Sequence, residues 1–147
     1  MAHIPDGVLS APVLVVGAAV SLAGCVYGLR RLEAERIPQV AVLSAVLFVA
    51  ALVHFPVGPS SVHLILNGLT GIVLGWAAFP AILVALLLQA VLFGFGGLIV
   101  LGVNVANMAL PAVLCGALFF AVARSGHRRR TIMAAGLAGG LGVVLTA

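Results

Sequence analysis

Charge is what this chain has least of. Seven basic and three acidic side chains are spread over 147 residues, so a water-soluble globule made from it would have almost no polar surface to show. The same scarcity leaves few carboxylates for acid–base chemistry, and no nucleophile–base pair stands out. No phosphate-binding glycine loop followed by Lys-Ser or Lys-Thr occurs, which excludes nucleotide hydrolysis by that route. Cysteine is limited to Cys25 and Cys115, both inside apolar runs where a thiol acts as a small hydrophobe. The arginines are not interleaved with aromatic residues, so no nucleic-acid surface is expected.

What is present is apolar length. Hydrophobic residues make up 64% of the chain, and runs of helix-spanning length recur throughout. This predicts an all-α membrane protein, a polytopic transmembrane helical bundle, rather than a β-barrel with alternating strands. About six apolar spans are expected in a single transmembrane domain over residues 1–147, headed by a polar segment 1–10. The sixth span is cut short, which suggests a C-terminally incomplete sequence. Ser10-Ala11-Pro12 reads as a cap and an early helical proline, placing the first span over roughly Ala11–Leu29. Arg30-Arg31-Leu32-Glu33-Ala34-Glu35-Arg36, the densest charge cluster, follows. A second span is expected over Pro38–Val53, broken by His54-Phe55-Pro56-Val57-Gly58-Pro59. A third, Ser61–Ala78, would put His63 and Asn67 on one helix face. Phe79-Pro80 turns the chain into a fourth, Pro80–Phe93. Gly94-Phe95-Gly96-Gly97 is a flexible break before a fifth span from Leu101 to near Ala123, and the sixth apolar run opens at Thr131.

Orientation follows from the arginines. Arg30, Arg31 and Arg36, and then Arg124, Arg128, Arg129 and Arg130, occupy the loops after spans one and five, which alternation places on one side. The positive-inside rule makes that side cytoplasmic. The N-terminus, the His54–His63 loop and the Gly94–Gly97 break would then share the outer face. The lead has no basic n-region, so the terminus is expected to be kept apart from removal of Met1.

That terminus carries the chemistry. An amine, a backbone amide and an imidazole close small chelate rings on one ion, and such nitrogen sets suit Ni(II), Cu(II) and Co(II). With Met1 retained, Met1-Ala2-His3 offers four nitrogens. With Met1 removed, Ala2-His3 offers three, namely the Ala2 amine and the amide and imidazole of His3. The second version is preferred because it leaves a coordination position for His63. His63 is otherwise an interfacial histidine bonded to Ser60 or Ser61. His54 is a possible ligand or an orienting partner of His63 or His3. Asp6 either bonds a ligating imidazole or pins the terminus by capping the loop. Asn67, Gln89, Asn104 and Asn107 are polar within apolar spans, where helix–helix hydrogen bonding is the usual role. Asn104, near the outer end of its span, is the sharper candidate for supporting the ligands. Gly71-Ile72-Val73-Leu74-Gly75 matches the small-residue pattern of close helix contacts. His127, among arginines on the other side, is expected in solvent or lipid headgroups.

Three stretches together resemble the CbiM/NikM family: His3-Ile4-Pro5-Asp6-Gly7-Val8-Leu9-Ser10; His54 to Leu64; and Gln89 to Gly97 followed by Leu101 to Met108. Members are substrate-binding (S) components of energy-coupling-factor transporters for cobalt and nickel. The resemblance implies a near-planar nitrogen set for Ni(II) or Co(II) from the terminal amine, the amide and imidazole of His3, and His63. Ala2 stands where the family usually has none, so removal of Met1 is needed to restore the amine–histidine geometry. Ser61, Asn67, Asp6 and Asn104 would support the loops. The resemblance further implies a small membrane subunit of CbiN/NikN or NikL type, a T component of CbiQ/NikQ type and an ATPase pair of CbiO/NikO type. Its setting would be the lipid bilayer of a prokaryotic inner membrane, with the N-terminus outside. Alternatives from other classes are an ATP-independent divalent-metal channel or carrier, which would want acidic or several histidine residues along the spans, and a structural membrane subunit with an incidental histidine.

Overall fold

The computed structural model describes residues 4–57, 60–63, 66–124 and 137, with the backbone alone described for 54–57 and 60–63. The first helix, α1, runs over Ala11–Arg30, one residue past its expected end. Ser10 precedes it in extended conformation and Pro12 sits in its first turn, where the missing amide costs no helical bond. A short 3₁₀ turn, Ala34–Arg36, leads to α2 over Ile37–Leu52.

The third expected span is where sequence and structure part. His63 lies in strand β2 (Ser60–His63), which pairs antiparallel with β1 (His54–Val57) in a two-stranded hairpin. Helix α3 then covers only Asn67–Leu74. His63 and Asn67 therefore do not share a helix face. The physical reason is local: Pro56 and the β-branched Val57 and Val62 favour extended backbone over helix. A 3₁₀ turn, Gly75–Ala77, joins α3 to α4 over Ala78–Phe93, and α5 covers Leu101–Ala123. Gly75 has φ 54° and ψ −123°, a conformation that only glycine adopts without strain.

Among the described residues, four helical stretches could cross a membrane by length and composition: Ala11–Arg30, Ala34–Leu52, Asn67–Phe93 and Leu101–Ala123. The third of these is folded rather than straight. Below α3, the Arg36 guanidinium, in the loop between α1 and α2, donates to the Val73 carbonyl at 2.9 Å. At the far end of α4, the Phe93 ring lies 5.8 Å from that of Phe48, late in α2. The chain thus descends through α3, turns at Gly75 and climbs back through α4. The turn that the sequence places at Phe79-Pro80 falls a few residues earlier. Apart from Leu137, the run expected from Thr131 lies outside the described residues.

Helix α4 is the central element. Phe79, Ile82, Ala85 and Leu86 are buried against Val105, Ala109 and Ala112 of α5, with Cys25, Val40 and Leu47 closing the core from α1 and α2. Small residues set the approach of the outer helices. A Cβ at Gly71 would run into the Ala112 carbonyl and one at Gly116 into the Gly71 carbonyl, so α3 and α5 touch backbone to backbone. Gly102 meets the Ala18 Cα in the same way, and the Ser21 hydroxyl donates to the Gly102 carbonyl. Val15, Leu22, Val42, Val49 and Leu114 are each more than half exposed. An exterior this apolar is unstable in water and natural in hydrocarbon.

Candidate functional site

Of the expected ligands, Met1, Ala2 and His3 lie outside the described residues. For His54, Ser61 and His63 the backbone is described: His54 is the register partner of His63, and Pro56 that of Ser61. Among the described residues no three His, Cys, Asp or Glu side chains gather into a metal-holding group. The described part of the site is the scaffold that fastens the chain just after His3.

Two side chains make that fastening. The Asn104 carboxamide, in the first turn of α5, accepts the Ile4 amide at Oδ1 (3.0 Å) and donates from Nδ2 to the Ile4 carbonyl (3.1 Å). An amide side chain carries a donor and an acceptor on adjacent atoms, so it can satisfy both main-chain groups of a single residue at once. Asn104 is 3% exposed, so these bonds form away from competing water and leave no orphaned polar atom. Two residues on, the Asp6 carboxylate accepts the Val100 amide at Oδ1 (3.0 Å), while the Asp6 amide donates to the Gly96 carbonyl (3.2 Å).

The second contact answers a local deficiency. Helix α5 begins after Leu98-Ile99-Val100, which contains none of the side chains that ordinarily cap a helix start, and Val100 provides no cap of its own. Asp6 supplies the acceptor from 94 residues away, with its negative charge at the positive end of the helix dipole. Gly97 makes room: its φ is 138°, and a Cβ there would collide with the Asp6 carboxyl. Gly94, with φ 67°, ends α4 in the left-handed conformation. The Gly94–Gly97 stretch is thus a shaped cradle for residue 6.

Deeper in the bundle lie two polar groups of another kind. Asn67, the first residue of α3, is fully buried, and both atoms of its carboxamide lack a hydrogen-bond partner among the described residues. Gln89 on α4 is 2% exposed with Oε1 likewise unpaired. Asn67 thus makes no helix–helix hydrogen bond of the kind usual for such residues among the described residues. A buried amide without partners costs on the order of 1–3 kcal/mol, and Asn67 stands four residues after His63. Thr70 and Ser44, by contrast, are satisfied by the Leu66 and Val40 carbonyls one turn back.

The roles of Ile4, Gly97 and Val100 were not visible in the sequence, because backbone groups carry no residue label. The signal that existed was the doublet Gly96-Gly97, which marks close backbone approach, together with the missing cap ahead of α5.

A family model described as the cobalt uptake substrate-specific transmembrane region, CbiM, matches residues 3–147. A protein of Haemophilus influenzae named for metal transport is 56% identical over 117 residues, covering 80% of this chain and 57% of its own length. The fused nickel transport protein NikMN of Rhodobacter capsulatus is 38% identical over 142 residues, covering 90% of this chain and 41% of its own. The chain therefore spans about half the length of these curated relatives. Among solved structures, the crystal structure of a truncated transition metal transporter superposes with a TM-score of 0.73 at 25% identity, covering 98% of this chain and 70% of that one.

Proposed function

Because the chain belongs to the CbiM family of multi-pass membrane proteins, we propose that it is the substrate-binding component of an ATP-driven energy-coupling-factor transporter that takes up Ni(II) or Co(II). The metal is the cargo. It is bound at the outer face by the Ala2 amine left after removal of Met1, the amide and imidazole of His3, and His63, with His54 orienting a ligand from the paired strand. Asp6 and Asn104 hold the terminal segment in place, while Ser61 and Asn67 support the hairpin. ATP hydrolysis falls to separate ATPase partners acting through a T component. A small NikN-type subunit completes the assembly in the inner membrane, a reading supported by the fused name of the Rhodobacter relative.

The observation that carries this reading is the Asn104–Ile4 clamp. A near-terminal histidine with no function needs no buried carboxamide and no trans-acting helix cap to fix the residues next to it. Fastening Ile4 and Asp6 fixes the point from which the terminus starts, which lowers the entropic cost of closing chelate rings on a metal. The nitrogen donors suit late first-row divalent ions, and the affinity order places nickel above cobalt.

The test is metal content per chain together with the intact mass of the N-terminus, for the wild type and for His3→Ala and His63→Ala. One Ni or Co per chain, loss of Met1, and loss of metal in both variants is the expected pattern. Full metal content in His63→Ala with Met1 retained would instead mean that the first three residues chelate alone, and the two-part site would be wrong.

A further inference from the structure

At the opposite end of the bundle, a cavity of about 240 Å³ opens between the last turn of α1 and the Gly75 turn, lined by Gly28, Arg31, Leu32, Arg36, Gly75 and Trp76. Its two guanidiniums are held in different ways. Arg36 spends one N–H on the Val73 carbonyl at 2.9 Å and keeps the rest of its donor fork. Arg31 lies over the Tyr27 ring, with Cζ 4.8 Å from its centre, an attraction that holds the guanidinium at the mouth of the cavity. Glu33 and Glu35, in the same loop, do not line the cavity.

The surroundings are those of a membrane boundary. Tyr27 and Trp76 meet edge to face at 4.7 Å and are each more than a third exposed, as expected of aromatic residues at headgroup level. On α1, the helical stripe that runs on from Arg31 and Tyr27 carries Ala23, Val20 and Val16, all apolar and at least partly exposed. A ligand matching all of this joins a phosphate group, which two guanidiniums bind through paired hydrogen bonds, to hydrocarbon that continues along α1. Basic pockets between membrane helices are suited to such headgroups. We propose that this cavity is a headgroup site for an anionic phospholipid. None of its lining residues belongs to the proposed metal-binding face.

The experiment compares retention of phosphatidylglycerol and phosphatidylcholine of the same acyl chains by the full chain, using native mass spectrometry from detergent, with inorganic phosphate as competitor. Wild type is expected to prefer phosphatidylglycerol. Arg31→Gln and Arg36→Gln should each weaken that preference about fivefold. Arg30→Gln, exposed at the same end but outside the cavity, should leave it unchanged. Leu32→Glu keeps both arginines and puts a carboxylate on the wall, so it should abolish the preference even if the arginine variants fold poorly. Equal retention of the two lipids would overturn the proposal. So would an equal loss in Arg30→Gln, which would indicate general surface charge. Displacement of the lipid by inorganic phosphate alone, or by a soluble acidic peptide at these same arginines, would assign the site to a different ligand.

Discussion

The two ends of this bundle are fastened by opposite chemistry. At the end where α5 begins, the chain is held by neutral and acidic groups acting on backbone atoms: Asn104 on Ile4, and Asp6 on Val100. At the arginine end it is held by cations, with Arg36 on the Val73 carbonyl and Arg31 over Tyr27. An end proposed to receive a divalent cation is better built without fixed positive charge, since like charge close by would oppose binding. At the arginine end the guanidiniums are free to cap a carbonyl and set orientation. Between the ends, packing of small residues carries the structure, and polar bonds are few.

This contrast can be broken in graded steps. The largest effect is expected in the middle: Gly71→Val would drive a side chain into the Ala112 backbone and cost about 3 kcal/mol, lowering the thermal midpoint in detergent whether or not metal is present. Gly75→Ala should cost about 2 kcal/mol, because φ 54° with ψ −123° strains any other residue. Its signature would be a looser α3–α4 turn, read as faster amide exchange at residues 74–77 with the start of α5 unaffected. Asn104→Leu comes next. It leaves both main-chain atoms of Ile4 without partners, at about 1–2 kcal/mol, and should weaken metal retention more than it lowers the melting temperature. A drop in melting temperature with metal affinity unchanged would count against the clamp having any part in binding. Asp6→Asn is the mildest, at about 0.5–1 kcal/mol, since it keeps a hydrogen-bond acceptor near α5 but loses the charge at the helix start. It should be measurable as faster exchange of the Val100 amide.

The apolar periods of α1, α2, α4 and α5 were readable to within two residues because each is bounded by a proline, a glycine or an arginine cluster that acts locally. The hairpin was not. His54–Val57 and Ser60–His63 are too short and too mixed to announce a strand, and their apolar continuation into Leu64-Ile65-Leu66 imitates a helix. The turn between α3 and α4 was expected at the proline but falls at Gly75, because Pro80 fits the first turn of α4, where its missing amide is harmless. At the site, Asp6 and Asn104 stood out as rare polar residues in an apolar chain. Their partners, all backbone atoms nearly a hundred positions away, left no trace in the letters.

One property of the Asn104 clamp reaches beyond stability. A carboxamide that grips the N–H and C=O of residue 4 reads position and ignores identity: any side chain at 4 that fits would be accepted, whereas a single residue inserted between His3 and Ile4 would slide the histidine one place along the chain. The clamp therefore works as a ruler laid against the terminus. Length between clamp and histidine is the quantity it holds constant, and a variant with Ile4 replaced by Val should tolerate the change that a one-residue insertion at the same place does not.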